Sequence, residues 1–197
     1  MTARLTLVCH AATAATRAAA FPADEPAEAR ALARVSALAR RIGPADRAWT
    51  SPALAARQTA AALGLDAVAH AALRDCDFGR WSGRRLADVQ AEDPHAIAAW
   101  RADPAAAPPG GESLAATLDR IAAWLDDCVT GSGRVVAVTH ASVIRAAVVR
   151  VLDAPAHAFW RIDVAPLSTL DLGSDGTRWN LRAGTEAAAA RRPRRRS

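Results

Sequence analysis

Two short apolar runs, each closed by a histidine, constrain what this chain can fold into more than any other feature. Leu5-Thr6-Leu7-Val8-Cys9 leads into His10, and Val135-Val136-Ala137-Val138-Thr139 leads into His140. Runs this short, rich in Leu and Val and bounded by turn or polar residues, fit strands buried in a parallel sheet. Ligands bind open α/β sheets in the crevice at the carboxyl ends of the strands. Histidines at two strand ends can therefore face one site despite their separation in sequence.

The segments around these runs alternate between helical and extended patterns. Ala11 to Glu25 is a small-residue stretch expected to be a loop, and Pro26 to Ile42 carries Leu32, Val35, Leu38 and Ile42 at helical spacing before Gly43-Pro44. Ala48-Trp49-Thr50 predicts a short strand. Ser51-Pro52 then predicts an N-cap with Pro at the first position of a helix running to about Leu63. Asp66 to Ala69 predicts another short strand, and Leu73 to Arg85, which mixes charge, Gly and Trp without a period, a functional or connecting loop. Leu86 to Trp100 is expected to be helical with a break at Pro94, followed by a linker from Asp103 to Gly111. Ser113 caps a predicted helix with Leu114, Leu118, Ile121 and Leu125 on one face, ending near Gly131. After His140 a helix to about Leu152 precedes strands predicted at Trp160 to Val164, Ser168 to Leu172 and Arg178 to Arg182, with a Ser174-Asp175-Gly176 turn between the last two. This order predicts an α/β fold, a three-layer α/β/α sandwich with a mainly parallel central sheet and an antiparallel edge.

The formal charge of +5 does not describe the body of the chain. Arg191, Arg192, Arg194, Arg195 and Arg196 sit in the final segment; without them 20 of the 25 basic residues remain, against 20 Asp and Glu. The body is neutral, the basic tail over 185–197 has the composition of a disordered end, and a nucleic-acid partner is not expected. Cys9, Cys76 and Cys128 show neither disulfide-framework nor metal spacing. With no leader-like apolar region at the start and no run of transmembrane length, the expected location is the cytoplasm, without a membrane partner.

A third element lies at Thr50-Ser51-Pro52-Ala53-Leu54-Ala55-Ala56-Arg57-Gln58-Thr59-Ala60, where a strand ends and a helix begins, since a helix N-terminus offers amide donors that suit a phosphate. The fourth is an acid in the Gly/Trp loop, Asp75 or Asp77. These elements together resemble the histidine phosphatase superfamily, the phosphoglycerate mutase and acid phosphatase clan. Cys9-His10-Ala11-Ala12-Thr13 stands at the family's Arg-His-Gly motif, and Ser51-Pro52, Ala56 and Thr59-Ala60 match part of its Ser-Pro helix. Leu73-Arg74-Asp75-Cys76-Asp77-Phe78-Gly79-Arg80-Trp81-Ser82-Gly83 corresponds to its acid loop. Gly110-Gly111-Glu112-Ser113 and Thr139-His140-Ala141-Ser142-Val143-Ile144-Arg145 correspond to its last two signatures.

The resemblance implies a phosphoglycerate mutase-like domain over 1–184 with a small helical cap insertion at about 84–111, no cofactor and no metal. It implies that His10 attacks a phosphomonoester to form a phosphohistidine, that His140 holds phosphoryl oxygens, and that Asp75 protonates the leaving oxygen. Thr13 and Thr16 are the further phosphate-binding candidates, and the expected partner is a small phosphorylated substrate, with room for a homodimer. A neutral imidazole is a competent nucleophile near pH 7, and a covalent intermediate divides one hard displacement into two easier ones.

The departures from the family pattern concentrate on the phosphate pocket. The arginine before the nucleophile is Cys9 and the second pocket arginine falls on Ala55. Arg57, two positions on, is turned roughly 200° around the helix. Ala11 and Ala141 replace glycines, Thr16 replaces an Asn, and Asp75 replaces a longer Glu. Arg17, Arg80 and Arg145 are the other cations that could compensate. Charge-assisted hydrogen bonds contribute about 1.5–3 kcal/mol each, so losing two arginines predicts a weak hydrolase or, alternatively, a catalytically degenerate member that binds a phosphorylated ligand or a protein partner. Cys9 lacks the Cys-x5-Arg spacing of a thiolate phosphatase. A redox link from Cys9 to Cys76 is the alternative to two small buried fillers. His70, His95 and His157 are expected to be structural or at the surface, Trp81 to pack near the site, and Glu112 to serve a helix start.

Overall fold

The computed structural model of the protein describes residues 3–183; the tail over 185–197 lies outside the described residues. In chain order the elements are β1 (Ala3–Cys9), α1 (Ala14–Ala18), α2 (Ala29–Leu32), α3 (Val35–Ile42), β2 (Arg47–Thr50), α4 (Leu54–Ala62) and β3 (Val68–Ala69). They continue with α5 (Leu86–Glu92), α6 (Pro94–Ala102), α7 (Leu114–Val129), β4 (Gly133–Thr139), α8 (Ala141–Val151), β5 (Thr169–Ser174) and β6 (Trp179–Arg182). The strands form one sheet in the order β3-β2-β4-β1-β5-β6. The first four are mutually parallel and β5 and β6 form the antiparallel edge.

The two apolar runs lie side by side at the centre, in register from Ala3 opposite Gly133 to Cys9 opposite Thr139. That register brings His10 and His140 off the sheet at the same level. It also explains why the runs are continuously apolar. Leu5, Leu7, Cys9, Val135 and Ala137 face a core built with α7 and α8, while Val8, Val136 and Val138 face a second core with α3 and α4. Each fully buried Leu or Val contributes about 1.5–3 kcal/mol, and a polar residue at any of these positions would disrupt one layer or the other.

α7 follows its sequence signals closely. Ser113 accepts a hydrogen bond from the Ala116 amide at 3.1 Å, and Leu114, Ile121 and Leu125 are buried under it. The predicted break at Pro94 separates α5 from α6. Phe21, Trp81, Val89 and Ile97 form a small separate core beneath these two helices, with Phe78 and Trp100 packed against it.

Four local expectations are corrected. The predicted loop after His10 contains α1, nucleated by a reciprocal bond pair in which Thr13 and Thr16 cap each other's backbone. The helix expected over Pro26 to Ile42 is broken into α2 and α3, because Leu32 packs with Ala11, Ala27 and Ala55 whereas Leu38 and Ile42 pack on the sheet. α4 has Ala53, not Ser51, at its N-cap, since the Ser51 side chain is engaged elsewhere. The strand predicted from Trp160 is instead the end of a 3-10 turn over Ala156–Arg161, held by Trp160 stacking edge-on against Trp100 with ring centroids 4.7 Å apart.

Candidate active site

The β1–β4 register places the His10 and His140 rings edge to face, with centroids 5.0 Å apart. Both line a cleft of about 300 Å³ at the carboxyl end of the parallel strands, together with Asp75 and Thr13. The His10 Nδ1 lies 2.8 Å from the Ala11 carbonyl, which can only accept. In the neutral ring Nδ1 therefore carries the proton and Nε2 the lone pair. The turn after His10 is tied down by the Ala11 amide donating to Thr59 Oγ1 at 2.9 Å, and by the Thr59 hydroxyl donating to the Ala55 carbonyl at 2.7 Å.

His140 occupies the N-cap position of α8 and is 4% exposed. Its Nε2 is 2.7 Å from Ser51 Oγ, which also accepts the Ala53 amide at 3.2 Å. The serine proton then has Nε2 as its acceptor, so the hydrogen-bond network assigns the His140 proton to Nδ1, 3.4 Å from Asp75 Oδ2. Burial pushes the His140 pKa down to about 4, outweighing the opposing pull of Asp75, so the ring is a neutral donor at physiological pH. Ser51→Ala removes this anchor. A displacement of about 1 Å at a reacting group lowers rates on the order of a hundredfold, so any reaction that uses His140 in this cleft is expected to slow about tenfold to a hundredfold in steady-state assays.

Asp75 is fixed by the Cys76 amide at 2.9 Å and by the Ser142 hydroxyl on α8, which both donate to Oδ1. The loop carrying it is clamped from behind. Arg120 on α7 donates to the carbonyls of Ala72 and Arg74 and pairs with Glu112 through Nη2 at 2.9 Å, while Arg74 pairs with the same carboxylate at 3.1 Å. Thr139 Oγ1 adds a bond to the Leu73 carbonyl at 2.8 Å. Arg120 and Arg74 escaped the sequence reading. The signal for Arg120 was a lone charge between Thr117 and Trp124 on the buried face of α7. Glu112, expected to serve the helix start, instead precedes the cap and holds this loop.

The remaining predicted residues divide between the cleft lining, the surface and the core. Thr13 lines the cleft, but Thr16 does not; it is exposed and its hydroxyl reciprocates the α1 cap. Ala55 lines the cleft, whereas Cys9 is 3% exposed in the core against α7 and α8. All three cysteines are free, and burial raises the Cys9 and Cys76 thiols to about 12, which makes both poor nucleophiles and supports the filler reading over a redox link. Of the compensating cations, Arg17 pairs with Glu28, Arg57 and Arg80 are exposed, and Arg145 donates to the Ile162 carbonyl. Trp81 is 4% exposed and packs under the acid loop's aromatic cluster. His70 accepts the Ala72 amide and so caps a 3-10 turn.

Among the described residues, Arg74 is the one arginine lining the cleft, and Glu112 already pairs with it. Asp24, Glu25, Asp75 and Asp77 line the same cleft. No group of three or more His, Cys, Asp or Glu among the described residues is placed to hold a metal ion, and none of their helices is long and apolar enough to cross a membrane.

The buried titration of His140 has a consequence for stability. The unfolded chain binds this proton below about pH 6.5 and the folded chain only below about pH 4. Between those values the unfolded state holds more protons, so stability falls as pH drops through the window, by up to about 3 kcal/mol from this group. Urea denaturation at pH 7 and pH 4.5 is expected to show a smaller loss for His140→Gln than for wild type.

Residues 5–186 match the sequence profile of the histidine phosphatase superfamily, branch 1. The chain is 34% identical over 150 residues to the bifunctional protein Rv2228c of Mycobacterium tuberculosis, covering 74% of this chain but only 40% of that longer protein. It is 30% identical over 141 residues to adenosylcobalamin/alpha-ribazole phosphatase of Salmonella typhimurium, covering 67% of this chain and 70% of the relative. Its fold superimposes on mycobacterial glucosyl-3-phosphoglycerate phosphatase Rv2419c with a TM-score of 0.80 at 24% identity, over 92% of this chain and 97% of the other.

Proposed function

Because the chain belongs to the histidine phosphatase superfamily, branch 1, we propose that it hydrolyses phosphomonoesters of small metabolites through a phosphohistidine on His10. The observation that carries this reading is the cleft geometry: an imidazole whose Nδ1 is held by the Ala11 carbonyl, against a buried neutral His140 and beside Asp75. A phosphatase relative in sequence supports the same reading.

In this reaction His10 Nε2 attacks phosphorus, and the bond from phosphorus to the ester oxygen breaks. The Asp75 carboxyl delivers a proton to the departing oxygen, so the alcohol leaves neutral. Asp75, now a carboxylate, takes a proton from water, whose oxygen attacks the phosphohistidine and releases inorganic phosphate with His10 restored. His140 Nδ1–H and the Thr13 hydroxyl donate to phosphoryl oxygens as charge develops on them. Cytoplasmic location and a homodimer belong to this proposal as well.

The alternative reading, a binding protein without turnover, draws on one observation: four acidic side chains line the cleft, and the one arginine lining it among the described residues is paired. Phosphate release from p-nitrophenyl phosphate and a panel of phosphorylated metabolites separates the two. Turnover that orthovanadate inhibits supports the hydrolase. Release no faster than in buffer on every member, with phosphate still bound in calorimetry, would favour the binding protein.

A further inference from the structure

The cleft that receives the phosphoryl group carries an excess of negative charge. Apart from Asp75, the proton donor, it is lined by Asp24, Glu25 and Asp77, and none of these three forms an ion pair with a basic side chain among the described residues. Each is held in place by a backbone amide. Asp24 accepts from Leu54, Glu25 from Ala23 and Asp77 from Gly79, at 2.6, 2.8 and 2.8 Å. Asp24 adopts a left-handed backbone, φ 58°, which fixes where its carboxylate points. A phosphate dianion alone meets repulsion from such a lining, and unlike charges would have to come with it.

Two buried atoms of cleft-lining residues lack hydrogen-bond partners, and they differ in kind. His140, nine-tenths buried, has Nδ1 without a hydrogen-bond acceptor in bonding geometry, and Glu25 Oε1, near the Thr13 hydroxyl, has no donor in bonding geometry. The first calls for an anionic acceptor such as a phosphoryl oxygen. The second calls for a donor, and the neighbouring Asp24 and Asp77 make a cationic one the best match.

Resting on the phosphatase reading of this cleft, we infer that it selects zwitterionic phosphomonoesters: esters of amino alcohols, whose ammonium group meets Asp24, Glu25 and Asp77 while the phosphoryl group lies between His10 and His140. The carboxylates are specificity residues and take no part in bond breaking. An ammonium within a few bonds of the phosphate both fills the orphaned acceptor and offsets the repulsion that a simple alkyl phosphate meets.

The test separates selection from turnover. Binding of O-phosphoethanolamine, phosphocholine and ethyl phosphate, the last close in size but without the cation, is measured by calorimetry on the full-length His10→Ala protein. The two cationic esters are expected to bind about tenfold or more tightly than ethyl phosphate, with the ratio shrinking as salt rises. The isosteric change Asp24→Asn with Glu25→Gln and Asp77→Asn is expected to bring the ratio close to one, and Glu25→Gln alone to lower it part of the way. A ratio near one in the parent protein, no binding of any of the three esters, or a ratio that survives all three substitutions would overturn the selection. Turnover of ethyl phosphate and p-nitrophenyl phosphate by wild type is read separately. Hydrolysis without preference leaves the phosphatase reading intact and removes only this one, whereas preferential binding without hydrolysis does the reverse.

Discussion

Replacing His10 with alanine is expected to lower kcat for phosphomonoester hydrolysis by about a thousandfold or more, the scale lost when a covalent route is removed and only binding and electrostatic stabilisation remain. The expectation follows from geometry. His10 is placed by the last residue pair of the β1–β4 register, and its Nδ1 is held by the Ala11 carbonyl, which leaves one ring nitrogen to attack. His140 cannot substitute, because its Nε2 faces the Ser51 hydroxyl and its proton sits on the other nitrogen. Alanine at position 10 leaves the sheet intact, so the unfolding midpoint in urea is expected to stay close to that of wild type. Retained turnover in a well-folded His10→Ala protein would exclude His10 as the nucleophile.

Glu112→Ala is expected to be the most damaging substitution for stability among the site's supporting residues. Glu112 and Arg120 are 8% and 15% exposed in their side chains, and removing the carboxylate leaves the Arg120 guanidinium enclosed without a counter-charge. Breaking a buried pair in this way costs about 3–5 kcal/mol. Arg74, 44% exposed, relaxes into solvent and adds little. Urea denaturation measures the loss directly. Because Arg120 also holds the carbonyls of Ala72 and Arg74, the same change is expected to loosen the loop that presents Asp75 and to lower kcat more than it alters KM. Glu112→Gln, which keeps an acceptor for the Asp77 amide, is expected to fall between the two. A loss under about 1 kcal/mol for Glu112→Ala would show that the network does not anchor the loop.

The central strands and the long helices were legible in the sequence because their signals are local. Leu5 to Cys9 and Val135 to Thr139 are apolar on both faces, and Ser113 and Pro94 mark boundaries by their own chemistry. The sheet edge at Ser168 to Arg182 was equally visible, with its Ser174-Asp175-Gly176 turn closed by the Asp175 carboxylate. What escaped depends on partners distant in sequence. Ser51 has the chemistry of an N-cap, but its hydroxyl is taken by His140, so the cap moves to Ala53. Trp160 alternates like a strand residue, yet Trp100 on α6 draws it into a 3-10 turn.

The same distinction runs through the site. His10, His140 and Asp75 could be singled out in the sequence because each follows a strand or a motif, and the fold brings all three to one cleft. The Arg74–Glu112–Arg120 network was missed, because an arginine on the apolar face of α7 declares its partner only once the acid loop is folded over it. Thr16 was assigned to the phosphate by its place in a motif, and the local capping geometry of α1 keeps its hydroxyl instead. The acidic lining was not legible at all, since Asp24 and Glu25 belong to a stretch without periodicity and meet Asp77 only in three dimensions.

The most direct test of the account is to trap the covalent intermediate. Wild-type protein mixed with a turning-over phosphomonoester and quenched within one turnover into alkali, where a phosphorus–nitrogen bond survives, is digested and its peptides are sequenced by mass spectrometry. One phosphoryl group per chain is expected, carried by His10 and absent from the His10→Ala protein. Phosphate release with no labelled histidine, or a label on His140, would contradict it.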